Sequence, residues 1–189
     1  MRYGSGMTRK VLFAALLASS PVLADLASQP ADAYEQPSLV GIYAAIGGGG
    51  GFLFVPGDNA LAYDLEIRVG YSFNTMLQAY VAGALDGGKL SGNTFRTEQI
   101  TAFAQYHLYV QRALMVYGRG GIGVGLSGDL VPGSTAVGLA GAAGLGVEFR
   151  VAPNLFAGPE LYYRYTALST QGTDSHAQTV GLQINLIYY

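Results

Sequence analysis

The stretch "LAYDLEIRVGYSF", residues 61–73, alternates along its whole length between large apolar side chains and polar or small ones. The odd positions are Leu61, Tyr63, Leu65, Ile67, Val69, Tyr71 and Phe73, and the even positions are Ala62, Asp64, Glu66, Arg68, Gly70 and Ser72. Since successive side chains of a strand point to opposite faces, the pattern predicts a strand with one apolar and one charged face. Strands of globular proteins usually have about 5–6 residues. A strand of this length, tilted in a bilayer, can span the hydrocarbon core. The aromatic side chains near its two ends are typical of the girdles at membrane interfaces.

The composition of the chain favours a membrane barrel over a soluble domain. Of 189 residues, 50% are hydrophobic and only 12% are charged, with 28 Gly and 14 Tyr, whereas about a quarter of the residues in soluble proteins are charged. No apolar run is long enough for a membrane-spanning helix. The absence of Cys excludes disulfides, thiol catalysis and cysteine-ligated metals. A formal net charge of −2 disfavours a nucleic-acid partner.

The N-terminus has the pattern of a secretory signal peptide. Arg9-Lys10 precede the short apolar run 11–18, and Val22-Leu23-Ala24 places small residues before a cleavage site. We therefore expect a signal peptide over 1–24, a flexible periplasmic lead-in over 25–37 and a barrel domain over 38–189. Residues 31–33 form a second candidate cleavage site, and Met7 is an alternative start.

The remaining chain divides at turn signals into eight alternating segments. They are predicted at about 38–54, 61–73, 76–85, 95–110, 113–126, 135–151, 155–167 and 177–189. Tight turns at 74–75, 111–112 and 152–154 alternate with longer polar loops around 55–60, 86–94, 127–134 and 168–175. The predicted fold is all-β, an eight-stranded antiparallel up-and-down transmembrane β-barrel with both termini on the periplasmic side. Pro159 predicts a bulge in the seventh strand.

In such a barrel the apolar face contacts lipid and the charged face lines a lumen narrow enough to be filled by side chains. Buried charges need partners, so the sequence predicts a salt-bridge network that closes the lumen. Its predicted members are Asp64, Glu66, Arg68, Arg119, Glu148, Glu160 and Arg164. The functional alternative is an ion gate in which these pairs rearrange. Inward glycines, among them Gly121, Gly123, Gly144 and Gly146, are expected to leave room for the larger lumen side chains.

No motif in the sequence supports an enzymatic, cofactor or metal site. The segment "GRGGIG", residues 118–123, matches a dinucleotide-binding spacing but lacks the helical pattern and the acidic residue that this motif needs. The two histidines, His107 and His176, have neither a following H-x-S nor metal-ligand spacing. Asp174-Ser175-His176 falls in a predicted loop, where polar residues are expected.

These features together resemble the small eight-stranded outer-membrane barrels of the OmpA/OmpX type. The resemblance rests on the signal peptide, the eight alternating strands, the loop lengths and the aromatic C-terminus "INLIYY", while "ADLAS" at 24–28 is similar to alphaproteobacterial members. It implies an outer-membrane location and a terminal strand, with Leu186, Tyr188 and Tyr189, that the barrel-assembly machinery reads. It also implies contact with outer-membrane lipids and lipopolysaccharide, and a surface ligand bound through the loops.

Three functions fit the sequence. The first is a structural barrel for envelope integrity or surface interaction, whose lumen is closed by inward charged and Tyr side chains. The second is a narrow porin-like channel for small solutes or ions. The third is a soluble periplasmic lipid-binding barrel in which the two faces are inverted.

Overall fold

The protein folds as a closed antiparallel barrel of eight strands joined in chain order, which confirms the predicted fold class. The computed structural model describes residues 39–90, 93–128, 135–170 and 173–189. The strands are β1 (Gly41–Val55), β2 (Asp58–Ser72), β3 (Leu77–Leu90), β4 (Asn93–Val110), β5 (Leu114–Gly128), β6 (Thr135–Ala152), β7 (Leu155–Thr170) and β8 (Thr173–Tyr188). The predicted signal peptide and lead-in lie outside the described residues. Over the described ranges, no helix is long and apolar enough to cross a membrane.

The barrel closes where β1 pairs with β8 as well as with β2. Ala44 lies opposite Val69 on β2 and Tyr188 on β8. The glycine run of β1 belongs to this seam. A Cβ at Gly49 would lie 2.0 Å from a carbonyl oxygen of β8, and one at Gly51 would lie 2.2 Å from another. Glycine at these positions therefore lets the first and last strands approach closely enough to pair.

The two faces of β2 have the orientation that the alternation predicts. All seven odd-numbered side chains from Leu61 to Phe73 are between 43% and 74% exposed. Asp64, Glu66 and Arg68 are at most 4% exposed. The apolar face thus lies on the outside and the charged face in the lumen. This is the reverse of what a soluble barrel with an apolar interior requires, so the third function is wrong for this fold.

The barrel has two ends that differ in their connections. At the terminus end lie the start of β1, the end of β8 and the turns at 73–76, 111–113 and 153–154. The other four connections between strands lie at the opposite end, the loop end. The prediction of long loops around 55–60, 86–94 and 168–175 is wrong. β1 and β2 are joined by residues 56–57 alone, β3 and β4 by 91–92, and β7 and β8 by 171–172. The polar residues in these segments occupy paired strand positions, for example Asp58 opposite Val55, so the backbone ladder continues almost to the tips.

The predicted bulge at Pro159 is also wrong. Pro159 pairs opposite Ile184 without a shift, and the irregularity between β6 and β7 lies between Arg150 and Ala152, beside the turn. Proline lacks the backbone donor but keeps a φ value compatible with an extended strand, so the register passes through it. A second shift lies between β4 and β5, at His107 to Tyr109.

Candidate functional site: the closed lumen

The lumen side chains form three layers along the barrel. The loop-end apolar layer consists of Leu53, Ala62, Leu90, Phe95, Ala136, Leu168 and Ala177. The charge layer, in the middle, consists of Asp64, Glu66, Arg68, Asp86, Arg119, Glu160 and Arg164. The terminus-end layer contains Leu39, Tyr43, Ala45, Tyr80, Ala82, Phe103, Met115, Phe156, Ile187 and the C-terminal Tyr189.

Glu66 on β2 is the centre of the charge layer because all three arginines contact it. Arg119 Nη1 lies 2.7 Å from Glu66 Oε1, and Arg164 Nη2 lies 2.6 Å from Glu66 Oε2. Arg68, two residues along the same strand, pairs with Glu66 through Nε. One buried carboxylate therefore joins β2, β5 and β7, and the charge-assisted hydrogen bonds offset the cost of burying it.

Arg164 carries the network across the full width of the lumen. Its guanidinium pairs with Asp64 and Glu66 on β2, and its Nη1 lies 2.8 Å from Asp86 Oδ1 on β3. In an eight-stranded barrel β7 and β3 lie opposite each other. The link between Arg164 and Asp86 consequently crosses the barrel axis, where a conducting lumen would need open space.

Glu160 on β7 is a second centre, and its partners add polar side chains from the last strand. It pairs with Arg119, and its Oε2 lies 2.9 Å from Arg68 Nη2. The Tyr117 hydroxyl donates to the same oxygen at 2.5 Å. Amide groups of Gln183 and Asn185 donate to its two oxygens, each at 3.1 Å.

Aromatic rings and glycines fit around the arginines. The Arg119 guanidinium lies 4.6 Å from the ring centre of Phe103, and that of Arg164 lies 4.4 Å from Tyr162, distances typical of cation–π contacts. A Cβ at Gly144 would lie 2.8 Å from Glu160 Oε1, and one at Gly146 would lie 2.4 Å from the Tyr117 hydroxyl. The inward glycines therefore provide the space that the charged and Tyr side chains fill.

The loop-end apolar layer seals the charge layer from that side. Leu53 is fully buried, and the other members are at most 9% exposed. The side chains come from seven of the strands, one from each strand except β5. An apolar layer above an ionic one keeps water away from the ion pairs, which strengthens them.

The terminus-end layer holds a polar cluster around Glu148. The Tyr189 hydroxyl donates to Glu148 Oε2 at 3.0 Å, and Gln105 donates to the other oxygen at 3.4 Å. Gln78 donates to the Tyr189 hydroxyl at 2.9 Å. Burial, followed by the nearby Glu148 charge, raises the pKa of Tyr189, so its hydroxyl remains a donor.

His107 belongs to the same cluster and is fully buried. Its Nδ1 lies 3.0 Å from the Thr75 carbonyl oxygen. Because a carbonyl can only accept, Nδ1 carries the hydrogen, and Nε2 accepts from the Gln105 amide at 3.3 Å. Glu148 Oε2 lies 3.9 Å from Nε2, beyond hydrogen-bond distance. The imidazole is thus held by its neighbours inside the barrel wall.

The structure brings six of the seven predicted lumen charges into one layer, and Glu148 lies elsewhere. Glu148 is also buried in the lumen, but it lies nearer the turns, where Tyr189 and Gln105 contact it. Sequence reasoning missed Asp86, whose segment was assigned to a loop although it has the inward phase of β3. Gln183 and Asn185 had the correct inward phase but were not recognised as partners of Glu160.

The C-terminal residues divide between the two faces. Leu186 and Tyr188 point outward and are 44% and 60% exposed. Tyr189 turns into the lumen, where its ring packs against Tyr43 and Phe156, and its backbone N–H donates to the Asn154 carbonyl at 2.9 Å. Tyr189 therefore has a structural role inside the barrel that the sequence pattern did not predict.

The other candidate motifs take ordinary places in the barrel. The segment 118–123 is part of β5, and His176 on β8 stacks on Tyr165 at the loop end. In the parts of the chain that the structure describes, no group of three or more His, Cys, Asp or Glu side chains could hold a metal ion.

Solved structures resemble this barrel, although no protein-family model matches the sequence and no curated protein sequence is significantly similar. The crystal structure of Neisserial surface protein A is 18% identical with a TM-score of 0.61, covering 77% of this chain and 96% of that one. The outer membrane enzyme PagL is 15% identical with a TM-score of 0.54, covering 75% and 97%. Ail of Yersinia pestis is 18% identical with a TM-score of 0.48, covering 79% of this chain and 99% of that one.

The chain has the closed eight-stranded barrel fold of these outer-membrane proteins. At these identities the likeness shows the fold, and the exposed apolar belt agrees with it, because a continuous apolar outer surface requires lipid. Fold and belt together indicate an outer-membrane location with lipid around the barrel. Since barrels of this fold include an enzyme, the fold alone does not decide between catalytic and non-catalytic roles.

Proposed function

We propose that the protein is a closed, non-conducting outer-membrane barrel that contributes to envelope integrity and presents its loop-end hairpins to the exterior. The observation that carries this proposal is the link of Arg164 to Asp64, Glu66 and Asp86, which crosses the lumen from β7 to β2 and β3. In this proposal the charge layer closes the lumen permanently and does not act as an ion gate.

The neighbouring layers favour permanent closure over a narrow channel. A gate needs side chains that can move aside into free space or water. Here Arg68 and Arg164 are at most 2% exposed, and each contacts at least two carboxylates. Leu53 and Phe95 cover them from the loop end, and Phe156 lies towards the terminus end. Opening would expose several unpaired charges at once, and each buried charge without a partner is costly.

The proposal assigns no enzymatic activity to the protein. His107 Nε2 lies 3.9 Å from Glu148 Oε2, but His107 is fully buried and both of its ring nitrogens have neighbours within hydrogen-bond distance. A general base must reach its substrate, and this imidazole is held within the lumen.

The proposed partners follow from the two surfaces. The outward apolar belt would contact outer-membrane lipids and lipopolysaccharide. The outward side chains of Leu186 and Tyr188, with Tyr189 at the end of the chain, would form the signal for the barrel-assembly machinery. The hairpin tips at the loop end would contact a surface ligand.

The test is the conductance of the purified, folded protein in planar bilayers. The proposal predicts no current steps above those of the bilayer with detergent alone, while a porin inserted under the same conditions gives steps. Reproducible steps from the folded wild-type barrel would contradict the proposal and favour the narrow channel.

A further inference from the structure

The outer wall over β5 to β8 contains a depression. It has a volume of about 450 Å³ and is lined by Gly118, Arg119, Ala143, Gly144, Leu145, Leu161, Tyr162, Tyr163 and Val180. Gly118, Ala143, Leu145, Leu161, Tyr163 and Val180 have the outward phase of their strands. The depression therefore lies on the lipid-facing side of the wall, outside the charge layer.

Small residues on β5 and β6 create this groove. Gly120 and Ala143 are paired neighbours and lie in one row with Tyr163, and Gly118 lies in the next row with Leu145 and Leu161. On β2, by contrast, every outward position from 61 to 73 carries a large apolar side chain. The small side chains of Gly118, Gly120 and Ala143 beside the larger Leu145, Leu161 and Tyr163 leave space that hydrocarbon must fill.

A second depression continues the groove towards the loop end. It has a volume of about 490 Å³ and is lined by Gly138, Leu139, Tyr165, Ala167, Leu168, Ser169, Ser175 and His176. Tyr165 lies two residues along β7 from Tyr163, which connects the two depressions. The Tyr163 hydroxyl donates to Gln178 Oε1 at 3.2 Å, and the rings of Tyr165 and His176 stack with centres 6.0 Å apart.

The lining thus changes from apolar to polar along one line of the outer wall. Leu145, Leu161 and Val180 line the first depression, and His176 lines the second. Gln178 has the outward phase of β8 and lies between Val180 and His176, opposite Tyr165. An imidazole and a side-chain amide supply N–H donors, which suit acceptor oxygens. This order of groups matches one amphiphile in a bilayer, with its chain in the hydrocarbon and its carbonyl or phosphate oxygens at the interface.

We propose that these two depressions form one binding site for a lipid of the leaflet at the loop end. One acyl chain occupies the groove beside Ala143, and oxygens of the head-group region accept hydrogen bonds from His176 and Gln178. A membrane lipid is the occupant because the groove is continuous with the lipid-facing belt. The lipid site rests on the proposed membrane orientation of the barrel. It lies on the outer wall only. Conduction through the lumen would therefore overturn the proposed closure but not the lipid site.

The test uses a phosphatidylethanolamine that carries a photoactivatable diazirine midway along one acyl chain, mixed into phosphatidylcholine vesicles that contain the folded protein. After irradiation, the adducts are located by mass spectrometry. We expect them to concentrate at Leu145, Leu161 and Val180 compared with Leu65 and Ile67 on β2. An even distribution of adducts around the belt would overturn the proposal.

Two matched variants separate a specific site from general contact with lipid. Ala143→Leu fills the groove, whereas Ala102→Leu adds the same side chain to an exposed outward position on β4. We expect the first to reduce the adducts at Leu161 and Val180 severalfold and the second to leave them unchanged, with folded protein verified for both by gel mobility without heating. Equal adduct patterns in the two variants, or a protein dimer that Ala143→Leu abolishes, would contradict a lipid site.

The head-group part of the site is tested separately with the double variant His176→Ala and Gln178→Ala. Loss of both donors should lower the adduct yield in the groove, since the chain is then held at one end only. An unchanged yield would show that the polar depression does not bind the head group.

Discussion

The charge layer and the loop-end apolar layer close the same lumen by opposite means. Arg68, Arg119 and Arg164 reach across the charge layer to carboxylates on other strands. The loop-end layer, with Leu53 and Phe95, contains no group that needs a partner. An ionic closure is directional and depends on every member, whereas an apolar closure depends on filled volume.

This difference also explains how the two layers depend on each other. Buried ion pairs gain strength where water is excluded, but they become a liability when one partner is lost. The apolar layer excludes water from the loop end and allows the polar residues below it to remain paired. The barrel should therefore respond differently to a deletion in each layer.

The largest effect is expected from Arg164→Met in the charge layer. It leaves Asp64, Glu66 and Asp86 without a shared cation, and removal of one partner from a buried ionic group typically costs about 3–5 kcal/mol. The free energy of unfolding, measured by urea titration of the barrel in lipid vesicles, should fall by that amount.

The matched control for this prediction is Arg96→Met. Arg96 pairs with Glu98 at 2.7 Å on the outer wall, with both side chains about half exposed, and such pairs contribute about 0–1 kcal/mol. Equal effects of the two substitutions would show that burial of the charge layer is not what makes it important.

A somewhat smaller effect is expected from Leu53→Ala in the loop-end apolar layer. The substitution opens a cavity at a fully buried side chain, and comparable core truncations cost about 2–5 kcal/mol. Leu61→Ala on the lipid face is the control, since lipid chains can fill the space it leaves. Urea titration should show a clear loss of stability for Leu53→Ala and little for Leu61→Ala, and the opposite order would disprove the assignment of the faces.

The smallest effect is expected from Tyr189→Phe in the terminus-end layer. It keeps the ring contacts with Tyr43 and Phe156 but removes the hydroxyl that donates to Glu148. A hydrogen bond contributes about 0.5–1.5 kcal/mol between neutral groups and about 1.5–3 kcal/mol to a charged group, so the free energy of unfolding should fall by about 0.5–3 kcal/mol. Wild-type stability would mean that the Tyr189 hydroxyl does not contribute to the lumen closure.

Much of this architecture follows from the alternation in the sequence. The period of two assigned β2 to its correct faces, so Glu66 and Arg68 were correctly expected in the lumen while Ile67 faced outward. The pattern fixes which face a side chain occupies, because that is a local property of a strand. It does not fix partners across the lumen, which depend on strand tilt and stagger.

The misplaced features have the same physical origin. Asp86 and Leu90 were assigned to a loop because polar and glycine residues surround them, although the β3–β4 ladder continues through Leu90 and Asn93. The loop-end apolar layer was missed for this reason, since its inward apolar residues interrupt the simple pattern of apolar outside and polar inside. The Glu148 side chain points into the lumen like those of the charge layer, but it lies at a different position along the barrel axis. The alternation along a strand predicts only which face a side chain occupies, not its position along that axis.

The central claim is that the lumen is sealed while the belt faces lipid, and three adjacent positions on β3 test it. Val81 and Gly83 point outward, Ala82 is 1% exposed in the lumen, and a side chain at Gly83 would meet nothing within 4 Å. Since the chain has no Cys, single cysteines at these positions can be labelled cleanly in vesicles. We predict that a lipid-soluble maleimide labels positions 81 and 83, and that neither it nor a small charged methanethiosulfonate labels position 82. Fast labelling of position 82 by the charged reagent would show a water-filled lumen and contradict the account.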